Sequence, residues 1–194
     1  MCIRDSNKEA ARVNAMHDRV TGFYKDKSGL EKPYIAKDDR FLLWVHCAFT
    51  ESFLEAHLLC KYPLKHGADA YVKEWSQSAI PLGLNQAPQS HKELQDEIDR
   101  FLKEELAYTP DTEEVINFIL HPPFGIFARI FYAALSKSAV RSLRQSEREL
   151  LHLKNPWKIW EYFARFNLFA LSKALGSKPP AQDAAIARIK KLSR

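Results

Sequence analysis

Residues 38–62 read DDRFLLWVHCAFTESFLEAHLLCKY, and this stretch decides the fold class. Apolar residues recur through Leu42, Val45, Phe49, Phe53, Ala56 and Leu59 or Cys60. Steps of three and four residues mark one face of an α-helix, whereas a half-buried strand would alternate. Asp38 or Asp39 caps the start, because a carboxylate there accepts from backbone N–H groups that no earlier turn satisfies. His46 sits beside the apolar stripe, in Trp44-Val45-His46. The reading is therefore a long helix to about Tyr62, with that stripe facing inward.

The flanks continue the helical pattern. Upstream, Asn7 to about Thr21 forms a helix with Ala10, Val13, Met16, His17 and Val20 on one side, and Gly22 ends it. Phe23 to Lys37, with Gly29 and Pro33, reads as a polar connection. Downstream, Pro63 breaks the chain, and a helix from about His66 to Ser78 is stopped by Pro81 and Gly83. Ser90-His91-Lys92-Glu93 is a capping box that opens a helix to about Ala107, with Leu94, Ile98, Phe101, Leu102 and Leu106 inward. Thr109-Pro110-Asp111 starts the next helix, to Leu120, and His121 to Gly125 is a stiff break. Phe124 to Leu135 is nearly all apolar and is expected to be buried. Val140 to Leu153 is amphipathic, Trp157 to Leu175 is an aromatic helix stopped by Gly176, and Pro179-Pro180 leads into a short basic helix. No strand pattern or internal repeat is visible. The expectation is an all-α fold, a single orthogonal bundle of about seven to nine helices. It divides into a domain over residues 7–176 and a basic tail helix over 177–194.

Composition narrows the function classes. The 194 residues suffice for one sizeable core. Six glycines argue against a loop-rich β fold, and twelve phenylalanines suit the burial of large flat groups. The net charge of +5 is carried by the tail, where Lys173, Lys178, Arg188, Lys190, Lys191 and Arg194 face Asp183 alone. Such a tail is usually a solvated helix end and can also touch anionic lipid or nucleic acid. Elsewhere Lys and Arg line no single helix face, so nucleic acid is not expected as a partner. Cys2, Cys47 and Cys60 cannot close a disulfide framework, which fits a reducing compartment. No CxxCH motif for covalent haem attachment is present. Met1 to Ser6 has no signal-peptide core, and no stretch approaches the ~20 apolar residues of a membrane span. The location expected is cytoplasmic or membrane-associated.

Familiar catalytic motifs are missing: GxGxxG, GxxxxGK[ST], GxSxG and HExxH are all absent. Glu51, Glu55 and Glu74 lack the Glu-x-x-His pairs of a di-iron bundle and read as surface charge or helix-end partners. His57, Cys60 and Cys47 lack the paired spacing of a zinc site. There remain His17, among Val13, Met16 and Val20, and His46, among Leu42, Phe49 and Thr50. A neutral imidazole on an apolar helix face is what a b-type haem takes as its proximal ligand. Taken alone, such a histidine is more often a satisfied core residue.

The order of segments carries more. Arg12-Val13-Asn14-Ala15-Met16-His17-Asp18-Arg19-Val20-Thr21-Gly22 is followed by Tyr34-Ile35-Ala36 and then by Asp38-Asp39-Arg40-Phe41-Leu42-Leu43-Trp44-Val45-His46. Ser52-Phe53, Tyr71, Glu74 and Leu82-Gly83-Leu84 continue the series. In this order the chain resembles the haem-dependent oxygenase family of the latex-clearing proteins (rubber oxygenases) and the ER-bound oxygenase of mycophenolic acid biosynthesis. The resemblance is clear from about Ala11 to Leu106 and looser beyond. It implies a helical fold that is globin-like in holding one non-covalent haem b, with His17 as the proximal iron ligand and His46 and Arg12 at the cofactor. It implies O2 as co-substrate and an apolar or polyisoprenoid substrate; known members cleave carbon–carbon double bonds of isoprenoid chains. In the family an earlier helical segment with a His-Pro pair precedes this point. The expectation is thus a domain without its N-terminal helices, with Met1–Ser6 as a non-native start and the distal catalytic residues elsewhere. The competing expectation is a non-enzymatic helical interaction or membrane-surface protein that uses Trp157–Leu175 and the tail.

Overall fold

A computed structural model of the chain describes residues 3–61, 63–176 and 180–192. Among these residues the chain forms nine α-helices and one two-stranded sheet. Helix α1 spans Ile3–His17 and lies against a 3₁₀ turn at Ile80–Leu82. That turn ends at Gly83, whose φ of +94° is left-handed and suits glycine.

The expected polar connection is instead a hairpin. Strands β1 (Thr21–Lys25) and β2 (Glu31–Ile35) pair antiparallel, with Thr21 opposite Ile35 and Lys25 opposite Glu31. Asp26 builds the turn: its carboxylate accepts from the Ser28 N–H, the Ser28 hydroxyl and the Leu30 N–H at 2.6–3.0 Å. Gly29 supplies the positive φ, +83°. The hairpin holds through Tyr24 and Tyr34, whose rings meet Phe41 edge-on at 5.5 and 4.7 Å. With five residues per strand and lysines interleaved, the alternation is too short to read as a period.

Helix α2 spans Asp39–Leu59, and the carboxylate of Asp38 caps it by accepting from the Arg40 N–H at 2.9 Å. Its inward face is not the one expected. Leu42, His46, Cys47, Thr50 and Leu54 are buried, while Val45, Phe49 and Phe53 are about half exposed. The reason lies in the partners. Helices α3 (Gly67–Ser76) and α4 (His91–Glu104) meet α2 through Val72, Leu94 and Ile98, and these close on Cys47 and Leu54 to make the core. Thr50 tolerates burial because its hydroxyl donates to the His46 carbonyl at 2.7 Å. On α4 the expected Leu94, Ile98 and Phe101 are indeed buried. The capping box forms with one shift: Ser90 Oγ accepts from the Glu93 N–H, and the Glu93 carboxylate accepts from the N–H of Gln89.

Helix α5 (Pro110–Leu120) starts on a Thr109–Thr112 capping box. The apolar segment Phe124–Leu135 and the start of the amphipathic segment after it form one continuous helix, α6 (Ile126–Ser142), followed by the short α7 (Gln145–Leu150). Burial on α6 is confined to Ala134, Ser138 and Val140; Ile126, Phe127 and Ile130 are exposed, against the expectation that Phe124–Leu135 is buried. Helix α8 (Ile159–Leu175) lies along α6 and ends at Gly176. Arg141 joins the pair by donating to Glu161 at 2.5 Å and to the Pro156 carbonyl at 2.9 Å. Arg165 joins α8 to the end of α2 by donating to the Leu59 carbonyl at 2.7 Å. Helix α9 (Pro180–Leu192) holds Arg188 and Lys190 at exposed positions; of the other basic tail residues, Lys178 and Arg194 lie outside the described residues, as does Cys2.

Candidate functional site

His17 is the last residue of α1 and is half-buried. Its Nδ1 is enclosed and has no hydrogen-bond partner among the described residues. One turn earlier, Asn14 fastens α1 to the 3₁₀ turn by donating to the Pro81 carbonyl at 3.3 Å. Arg12 is placed differently. It is exposed, its Nε is 3.3 Å from Glu9, and it stands about 140° around the helix from His17.

His46 is buried in α2, and its Nε2 likewise has no partner among the described residues. Burial pushes the imidazole pKa down, so the ring is neutral at neutral pH. An enclosed imidazole nitrogen without a partner leaves a desolvation cost unanswered, roughly 1–3 kcal/mol for a neutral polar group. Beside His46 runs an aromatic band. Phe49 and Phe53 lie 6.0 Å apart, Phe53 meets Trp75 at 5.3 Å, and Trp75 stacks with Tyr71 at 6.1 Å. The two histidines stand on separate elements, since α1 lies mainly on the 3₁₀ turn and α2 on α3, α4 and α6.

Among the described residues no three His, Cys, Asp or Glu side chains come together as a metal site. A metal bound through His17 would bring its other ligands with it, as a haem iron does. The enclosed nitrogens without a partner among the described residues suit such a group, and the aromatic band offers it an apolar neighbour beside His46. Cys47 does not join them: burial pushes its thiol up to about 12 and keeps it protonated in the core.

A second feature was not legible in the sequence. A cavity of about 450 Å³ lies between α2, α6, α7 and α8, within the ~300–1,000 Å³ of small-molecule sites. Glu51, read from sequence as surface charge, is on its wall with a side chain only 12% exposed. Arg144 Nε is 3.1 Å from its carboxylate, and Glu147 hydrogen-bonds it from α7. Burial first, and then the charge of Glu147, push the Glu51 carboxyl up to about 8. Glu55 on the same wall is also raised, chiefly by burial. The signal available in sequence was the run of small residues Ala48, Ser52 and Ala56, which leaves space on one face of α2.

Residues 4–174 match the family model described as "ER-bound oxygenase mpaB/B'/Rubber oxygenase, catalytic domain". No curated protein and no solved structure matches the chain.

Proposed function

Because the chain belongs to the mpaB/rubber oxygenase catalytic-domain family, we propose that it is a haem-dependent oxygenase that uses O2 on an apolar, isoprenoid-like substrate. The observation that carries the proposal is the pair of enclosed imidazole nitrogens, on His17 and His46, with no partner among the described residues. His17 gives a nitrogen to the iron of a non-covalent haem b. When bound, the haem supplies the dioxygen chemistry of the reaction. His46, kept neutral by burial, lines the cofactor pocket and offers one hydrogen bond there. Phe49 and Phe53 present an apolar surface that keeps water from the group bound beside them. Arg12, exposed and paired with Glu9, is the third residue of the proposed site, at the edge of the cofactor.

Absorbance spectra of the chain with added haemin test this. A Soret band that is lost in His17→Ala and kept, with a shifted maximum, in His46→Ala is the expected result. An unchanged band in His17→Ala removes it as the iron ligand.

One observation favours a second reading, that of an interaction or membrane-surface protein. Phe127 on α6 and Phe166 on α8 are 86% and 66% exposed. No helix among the described residues is long and apolar enough to cross a membrane. On this reading haemin gives no Soret band and the chain sediments with anionic vesicles.

A further inference from the structure

The cavity between α2, α6, α7 and α8 holds a polar atom that the fold does not use. Ser138, in the middle of α6, is 2% exposed and lines the cavity, and its hydroxyl has no hydrogen-bond partner among the described residues. A serine inside a helix ordinarily returns its hydroxyl to a carbonyl of the preceding turn. Four other helical hydroxyls here do so. Ser136 and Ser142 on the same helix donate to Ala133 and Ala139, and Ser76 and Thr50 donate to Lys73 and His46. Ser138 alone among these withholds that bond, in a place where an unmade bond is costly.

The rest of the wall is mainly apolar, with Leu59, Leu135 and Leu168 among its residues. Its other acidic groups are Glu51, Glu55 and Glu147. Arg144 is the cation against Glu51, and its other carboxylate contact is Asp99 at 2.8 Å. A serine hydroxyl is a hydrogen-bond donor, whereas the Glu51 carboxyl is already engaged by Glu147 and Arg144. An apolar chamber with one such free donor matches an apolar molecule that carries an acceptor oxygen.

We propose that this cavity is a binding site for a neutral, mostly aliphatic molecule with one oxygen group, an alcohol or a carbonyl, that accepts from the Ser138 hydroxyl. The site is separate from the histidines. Neither lines the cavity, and on α2 the positions facing it (Ala48, Glu51, Ser52, Glu55) lie roughly half a turn from His46. An anionic ligand would meet three carboxyl groups there. A cationic one would displace the proton that Glu51 retains.

Calorimetric titration of the full chain with decanol, decanoate and decylammonium tests the site. Decanol binds best, and decanoate binds at least roughly tenfold more weakly, because its carboxylate faces the acids. Ser138→Ala weakens decanol roughly five-fold, the scale of one net hydrogen bond. It leaves the melting temperature unlowered, since the hydroxyl supports nothing in the fold. Leu168→Phe fills the chamber and abolishes binding, and His17→Ala changes nothing. Equal decanol affinity in Ser138→Ala, tighter binding of decylammonium, loss of binding in His17→Ala, or no decanol binding by the folded wild-type chain would each overturn the proposal.

Discussion

The α2–α3–α4 centre and the α6–α8 pair each carry a strongly apolar helix, α2 in the first and α8 in the second, and end in opposite states. In the first, Leu54, Val72, Leu94 and Ile98 are completely sealed. In the second, Ile126, Phe127, Phe166 and Phe169 stand largely in the open, although α6 and α8 lie along one another. The difference is one of surroundings. Helix α2 is covered by α3 and α4, whereas α6 has chiefly α8 beside it. Apolar composition gives a helix something to bury, and arrangement decides whether it is buried. The stability of the chain therefore belongs to the centre, and the pair offers apolar surface to whatever lies beyond it.

Replacing Leu54 by Ala tests the first half of that contrast and has the largest effect. The side chain is wholly enclosed, and its truncation leaves a cavity that costs about 2–5 kcal/mol. Denaturant titration reads this as a lower midpoint at unchanged slope. A loss below ~1 kcal/mol would mean that the centre is loosely packed and that the contrast is one of degree.

The seam between the two regions is sharpened by Glu51, which faces the cavity that separates α2 from α6 and α8. Its carboxyl is pushed up to about 8 in the folded chain, by burial and by Glu147, against about 4.3 in an unfolded one. Below the unfolded value both states are protonated and the group adds no pH dependence. As pH rises from there towards 8, the unfolded state releases the proton and the folded state keeps it, so stability falls by up to ~1.4 kcal/mol per unit. Glu51→Gln removes that slope. Relative to wild type it gains stability between about pH 5 and about pH 8, read as diverging denaturation midpoints. Parallel midpoints across that range would show that water reaches the carboxylate and that the seam is wet.

Much of the centre was legible in advance, and the reasons are local. Asp38, Ser90 and Thr109 cap the helices they were expected to cap, because a cap is decided by one side chain and the adjacent N–H groups. The inward face of α4 follows from its strong segregation of Leu94, Ile98 and Phe101 from charged residues. Helix α2 defeats the same reasoning. It is apolar on several sides, and the face richest in Phe is not the one that is sealed. Burial there went to Cys47, Thr50 and Leu54, which sit closest to their partners. The hairpin escaped because Asp26 and Gly29 set it through a turn, not through a period. Within the candidate site, His17 and His46 stood out by residue type. The carboxyl pair Glu51–Glu147 joins residues far apart in the chain, and no spacing rule connects them.

The smallest expected effect tests the second half of the contrast. Phe127 is 86% exposed, so truncating it to Ala removes little buried area and changes stability by less than ~0.5 kcal/mol. A phenylalanine inside a core costs about 3–5 kcal/mol on the same truncation. The two outcomes are thus well separated in a denaturant midpoint. A near-zero change combined with better solubility of the Phe127→Ala chain means that the α6–α8 face meets solvent in the isolated protein and is an adhesive surface there. A core-sized loss means that this face is covered in solution, and a protein-concentration series of the melting temperature then separates cover by a second copy, which shifts with concentration, from cover by the chain itself, which does not.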